Sequence, residues 1–188
     1  LLLVAKCKQL MSSSHSGIRS VNPIKTLWII RHGEAEDTSK DGQDINRDLK
    51  ESAHQDWEIM KPWLISMPGE PMWVFASPAS RTLQTAELIS GYFNSELIID
   101  TNLYLATADT LIDRIRSTPE DITNVAIIAH NPGVSGLVSY LVKISKPTVL
   151  QTWGVAHCQF DSPWHTLSEH TNAKVSLASP KLIMTKTH

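Results

Sequence analysis

Apolar positions along this chain follow two patterns: short unbroken runs, and longer stretches in which apolar residues recur every three or four positions. Thr26-Leu27-Trp28-Ile29-Ile30 and Val125-Ala126-Ile127-Ile128 are unbroken runs, as expected of strands buried on both faces. Met72–Ala76 and Glu96–Asp100 read as two further strands. Between them, residues 48–66 carry Leu49, Ala53, Trp57, Met60 and Leu64 at helical spacing, with Pro62 as a break. Pro68-Gly69-Glu70-Pro71 marks a turn. Ser80–Gly91 predicts a helix with Leu83, Ala86, Leu88 and Ile89 inward and Gly91 as its stop. A short helix over 109–116 and another running to about 143 complete the series. After them the character changes: Trp153–Phe160 and Ala173–Ala178 alternate like the strands of an antiparallel hairpin. Trp28, Trp57, Trp63, Trp73 and Cys158 read as core.

Strands alternating with helices predict an α/β fold, a three-layer α/β/α arrangement around a mostly parallel sheet. Three of the strands end in chemistry-bearing residues: Arg31-His32, Ser77-Pro78 followed by Arg81, and His130. In a parallel sheet those carboxyl ends share one edge, where sites form, so their side chains are expected to converge.

Length and composition narrow the setting. The 188 residues, with formal charge -2 and 41% hydrophobic residues, suit one domain over 25–188. The balanced charge gives no reason to expect nucleic acid or a membrane surface as partner, and no apolar run reaches the ~20 residues of a membrane span. Residues 1–24, with their Ser-rich stretch, read as a disordered tail, and Met11 as a candidate start. Cys7 and Cys158 fit no metal or redox spacing and read as reduced thiols of a cytoplasmic protein. A compact domain of this kind can work as a monomer.

The strand-end residues define a phosphate chemistry. Arg31 and Arg81 would clamp phosphoryl oxygens and His130 would add a second imidazole. His32 would attack in line and form a covalent phosphohistidine that water later hydrolyses. Backbone N–H groups in the first turn after Ser77 are a further source of anion contacts. Neither a metal nor a cofactor is called for, because two histidines without a third ligand make no metal site.

Arg31-His32-Gly33, Ser77-Pro78-Ala79-Ser80-Arg81-Thr82-Leu83-Gln84-Thr85-Ala86 and Ala129-His130-Asn131-Pro132, in this order, resemble the histidine phosphatase superfamily, and within it the SixA-type phosphohistidine phosphatases. The resemblance implies a phosphoglycerate mutase-like fold, His32 as nucleophile, and Arg31, Arg81 and His130 as phosphate-binding residues. It also points to Arg47 as a substrate contact, although Asp48 stands where SixA-type proteins have Pro. Asn131 is a further candidate, since its amide can reach a phosphate or cap the next helix.

Two features bear on the branch. Between Arg81 and His130 there is little chain with which to build the substrate cap of mutases and acid phosphatases, so a minimal cap and an open site are expected. Mutase-like members also place a Glu about two residues after a Leu beyond the third strand; here Leu103-Tyr104-Leu105 fills that stretch, with Asp109 the nearest carboxylate downstream. An alkoxide leaving group needs that acid, whereas an imidazole protonated on its free nitrogen does not. The expected partner is therefore a phosphohistidine-bearing phosphotransfer protein. A small phosphate ester is the alternative, and a non-catalytic phosphate-binding module lies beyond it. Glu34 and Glu36 read as loop or helix-start residues, Ser77, Ser80 and Thr85 as helix-terminus residues, and His157, His165 and His170 as surface residues.

Overall fold

The computed structural model describes residues 23–142 and 148–186; the tail expected over 1–24, with Cys7 and Met11, falls almost wholly outside them. Six strands form one mixed sheet: β1 (Lys25–Arg31), β2 (Trp73–Ala76), β3 (Glu96–Ile99), β4 (Asn124–Ala129), β5 (Val155–Phe160) and β6 (Lys174–Ala178). The order is β3-β2-β4-β1-β5-β6. The first four strands are mutually parallel, while β5 runs antiparallel to both β1 and β6. The expected mostly parallel sheet with a terminal hairpin is present.

The helices are α1 (Glu51–Ser66), α2 (Ser80–Phe93), α3 (Ala108–Arg116), α4 (Gly133–Leu141) and α5 (Pro180–Lys186). Successive strand residues face opposite sides, and both sides are covered. Trp28, Ile30, Val74 and Ala126 pack with Ala53, Trp57 and Met60 of α1 and with Ala86 and Ile89 of α2. Leu27, Ile29, Phe75 and Ile127 pack with α3, α4 and Trp164. This double burial is why the sequence shows unbroken apolar runs.

Several boundaries differ from expectation for local physical reasons. Pro62 lies inside α1 without ending it. It is exposed, so the Glu58 carbonyl it orphans faces water, while buried Met60 and Leu64 hold the helix on either side. α2 passes through Gly91 and stops at Asn94, whose left-handed φ of 54° supplies the cap. Leu49 precedes α1 and instead bridges Ala35. Met72 lies outside β2 and is exposed, and Trp63 and Trp73 are only half-buried. Among the described residues no helix is long and apolar enough to cross a membrane.

The sheet register sets the site. Ala76 pairs with Ile128, and Ile30 pairs with Ile128 from the other side. The residues after β2, β4 and β1 therefore emerge level with one another from three adjacent strands.

Candidate active site

At that edge His32, Arg81 and His130 meet as buried polar residues, 8%, 2% and 3% exposed. The two imidazole rings lie 5.2 Å apart. Together with Arg31 they line a cavity of about 460 Å³. The convergence expected from strand order is thus met.

His32 is held in one tautomer. Its Nδ1 lies 2.7 Å from the Gly33 carbonyl. A carbonyl can only accept, so Nδ1 carries the proton and Nε2 keeps its lone pair. The backbone beneath is fixed too: Gly33 N–H donates to Thr85 Oγ1 at 3.1 Å, and a Cβ on Gly33 would meet Trp153 Nε1 at 2.7 Å. Gly33 is therefore required by close packing at the strand end. Burial, aided by the Arg81, Arg31 and Arg47 charges, pushes His32 down to about 4 against the opposing Gly33 hydrogen bond. Burial and the charges of His32 and Arg81 push His130 down to about 3. Both rings are neutral at neutral pH, as a nucleophile requires.

Arg31 Nη1 donates to the Leu150 carbonyl at 3.0 Å. Arg81 uses both ends of its fork on one residue: Nη1 to the Asp44 carbonyl oxygen at 2.7 Å and Nη2 to Asp44 Oδ2 at 2.9 Å. Four buried side-chain polar atoms lack a partner among the described residues, and three of them are Arg31 Nε, Arg81 Nε and His130 Nδ1. Buried donors are almost always paired, so these three, on residues that line one cavity with His32, are candidate contacts for an anion.

A rim of charged residues stands above this floor. The loop from Glu34 to Lys50 is closed at its base by Lys50 N–H to Glu34 O and Glu36 N–H to Asp48 O. Its 3-10 turn, Asp44–Asn46, lies over Arg81. Asp44 also accepts from Tyr104 O–H at 2.8 Å and Arg47 Nε at 2.9 Å. The Tyr104 hydrogen bond first, then Arg81 and Arg47, holds its carboxyl down to about 2. Glu34 lines the cavity and is kept ionised by Lys50 and Ser52. Leu105 adds an apolar, 57% exposed side chain at a left-handed φ of 50°.

The remaining candidates divide. Arg47 lines the cavity but is tied to Asp44 and the Glu36 carbonyl. Asn131 lines it as well, with its amide donating to the Leu150 carbonyl and accepting from Ser135 Oγ. Asp109 is exposed in the first turn of α3 and is not part of the cavity lining. Asp48 is bound by Ser80 and Gln84 of α2. Ala79, Thr82 and Leu83 N–H groups are spent within the turn. Ser77 accepts from Ala79 N–H at the helix terminus, as expected, and also holds His130, whereas Thr85 lies within the helix and holds Gly33. His157, expected at the surface, is buried against Trp28 with its Nε2 2.8 Å from the Pro68 carbonyl. His165 and His170 are exposed, and Cys158 is a free, buried thiol. Sequence patterning missed Asp44, Tyr104 and Leu105. For Asp44 the signal was present: a carboxylate three residues before Arg47.

Comparison with known proteins gives a family similarity over part of the chain and a shared fold. The family description "histidine phosphatase superfamily (branch 1)" matches residues 27–104. Over that stretch the chain is similar to that superfamily. A search of curated proteins gives no match. The protein histidine phosphatase SixA in complex with tungstate aligns at a TM-score of 0.70 and 24% identity, covering 84% of this chain and 99% of that one. A Nakamurella multipartitia protein described as a phosphohistidine phosphatase SixA gives 0.71 and 19%, over 84% and 97%. A phosphoglycerate mutase from Bacillus anthracis gives 0.59 and 12%, over 89% and 99%. The fold is phosphoglycerate mutase-like, with higher similarity to these SixA structures than to the mutase. Between Arg81 and His130 this chain has the rest of α2, β3, α3 and β4 and no inserted cap domain.

Proposed function

We propose that this chain is a phosphatase that works through a covalent phosphohistidine on His32 and removes phosphate from phosphohistidine in a phosphotransfer protein. The observation that carries this reading is the set of buried, unpartnered nitrogens on Arg31, Arg81 and His130, residues that line one cavity with His32, whose Nε2 is free. In the first step Nε2 forms a bond to phosphorus while the bond from phosphorus to the leaving nitrogen breaks. The guanidiniums neutralise charge on the equatorial oxygens. The departing imidazole of the substrate leaves neutral when its other nitrogen is protonated. Water then attacks phosphorus, the P–N bond to His32 breaks, and inorganic phosphate is released.

The cavity supports P–N over P–O cleavage. Asp44 and Glu34, which line it, are held as carboxylates by their cation and hydroxyl partners. Neither is a ready proton donor for an alkoxide. The absence of a cap over the mouth, with exposed Leu105 at the rim, suits a phosphate presented on a protein surface. The test measures phosphate release from a phosphohistidine protein and from p-nitrophenyl phosphate in parallel, with His32→Ala as control. Faster release from the phosphoprotein is expected. Preference for the ester would move the assignment to a small-molecule phosphomonoesterase.

A further inference from the structure

Ser77 follows β2 with its side chain fully buried, and its Oγ lies 2.8 Å from His130 Nε2. The same oxygen accepts from Ala79 N–H at 3.4 Å. Among the described residues the hydroxyl has no other hydrogen-bond partner, so His130 Nε2 is the acceptor for its proton. A buried O–H without an acceptor is costly, so the hydroxyl donates to Nε2, which must then be the bare ring nitrogen. A neutral imidazole carries one proton, and here it falls on Nδ1. Nδ1 is itself buried and without a partner, in a ring 5.2 Å from that of His32. The opposite tautomer would strand the Ser77 proton and turn a lone pair toward the phosphate oxygens.

We infer that Ser77 is a positioning residue that fixes His130 as its Nδ1–H tautomer, so that an uncharged donor meets the phosphoryl group held over His32. The identity of that occupant rests on the phosphatase reading; the tautomer does not. The arrangement complements the arginines: it adds a hydrogen bond without adding a third positive charge beside the His32 nucleophile. Tyr104, edge-on to the His130 ring at 5.7 Å, packs against it without competing for either nitrogen.

The experiment is nitrogen-15 NMR of histidine-labelled protein at neutral pH, with His130 assigned by difference from His130→Gln, followed by titration with inorganic phosphate. The expected result is a pyrrole-type Nδ1 and a pyridine-type Nε2 in the wild type. In Ser77→Ala a mixed tautomer and phosphate binding weaker by about fivefold to tenfold are expected, with Ser77→Thr restoring both. An Nε2–H tautomer in the wild type overturns the proposal, as does a Ser77→Ala protein that keeps both the tautomer and the affinity. If Ser77→Ala fails to fold, the wild-type spectrum and Ser77→Thr still decide. Neither readout needs turnover. The expected tautomer in a protein that releases no phosphate from any phosphoprotein would support Ser77's role and sink the phosphatase reading.

Discussion

The floor and the rim of the candidate active site are built by different means. The floor is a sheet edge: His32, Arg31, Ser77 and His130 leave three adjacent parallel strands whose register makes them level, and they are held by backbone and hydroxyl groups. The rim is a loop folded over that edge, where Asp44, Arg47, Glu34 and Lys50 are held mainly by one another. Floor side chains keep unpartnered nitrogens in a dry setting, while the rim pairs its charges near solvent. A fixed, desolvated donor costs no reorganisation when charge develops on the substrate; an exposed ion pair contributes little to anything. The floor is therefore where chemistry is expected to be lost on mutation, and the rim where substrate selection is expected to change.

The sharpest break is His32→Ala, expected to lower phosphate release by roughly 10⁴-fold or more with the fold retained, read by single-turnover assay and circular dichroism. Next comes Arg81→Gln, expected to cost about 10²- to 10³-fold in kcat, because it removes a desolvated clamp. Asp44→Asn probes the seam between the two regions. It leaves the Arg81 fork without its charged partner and should cost about tenfold in kcat/KM through misorientation. An increase in activity would mean that Asp44 competes with phosphate for Arg81 instead of placing it. Lys50→Ala touches the rim alone and should change KM about twofold with kcat unchanged.

The smallest expected change is none. The His32 and His130 rings, held near 4 and 3, should show no titration by NMR between pH 7.5 and 5.5. A midpoint near the 6.5 of free imidazole would contradict their burial. The sign for stability follows from the same shifts. Between pH 6.5 and the folded values the unfolded chain binds protons that the folded chain refuses, so stability falls as pH drops through that window. Urea midpoints at pH 7 and pH 5.5 read that decline.

Legibility followed the same division. Apolar runs ending at Arg31, Ser77 and Ala129 gave both the strands and their convergence, because burial on two faces leaves a strong mark in sequence. Gly91 misled because helix termination was settled by Asn94's left-handed backbone, a tertiary outcome that propensity ranks below glycine. Asp44, Tyr104 and Leu105 lie on loops where no periodicity exists, and their meeting depends on contacts 37 and 60 residues apart. Ser77 was visible, but its role required knowing that β2 lies beside β4. His157 looked like a surface residue of a hairpin because the packing of Trp28 against that strand cannot be read from local pattern.

The central claim is a phosphoryl group on His32, and rapid-quench trapping during turnover of a phosphohistidine protein tests it most directly. The account predicts an acid-labile, base-stable phosphoryl mapped by mass spectrometry to the peptide containing His32 and absent from His32→Ala. Full turnover with no phosphoryl on His32, or turnover preserved in His32→Ala, would contradict it.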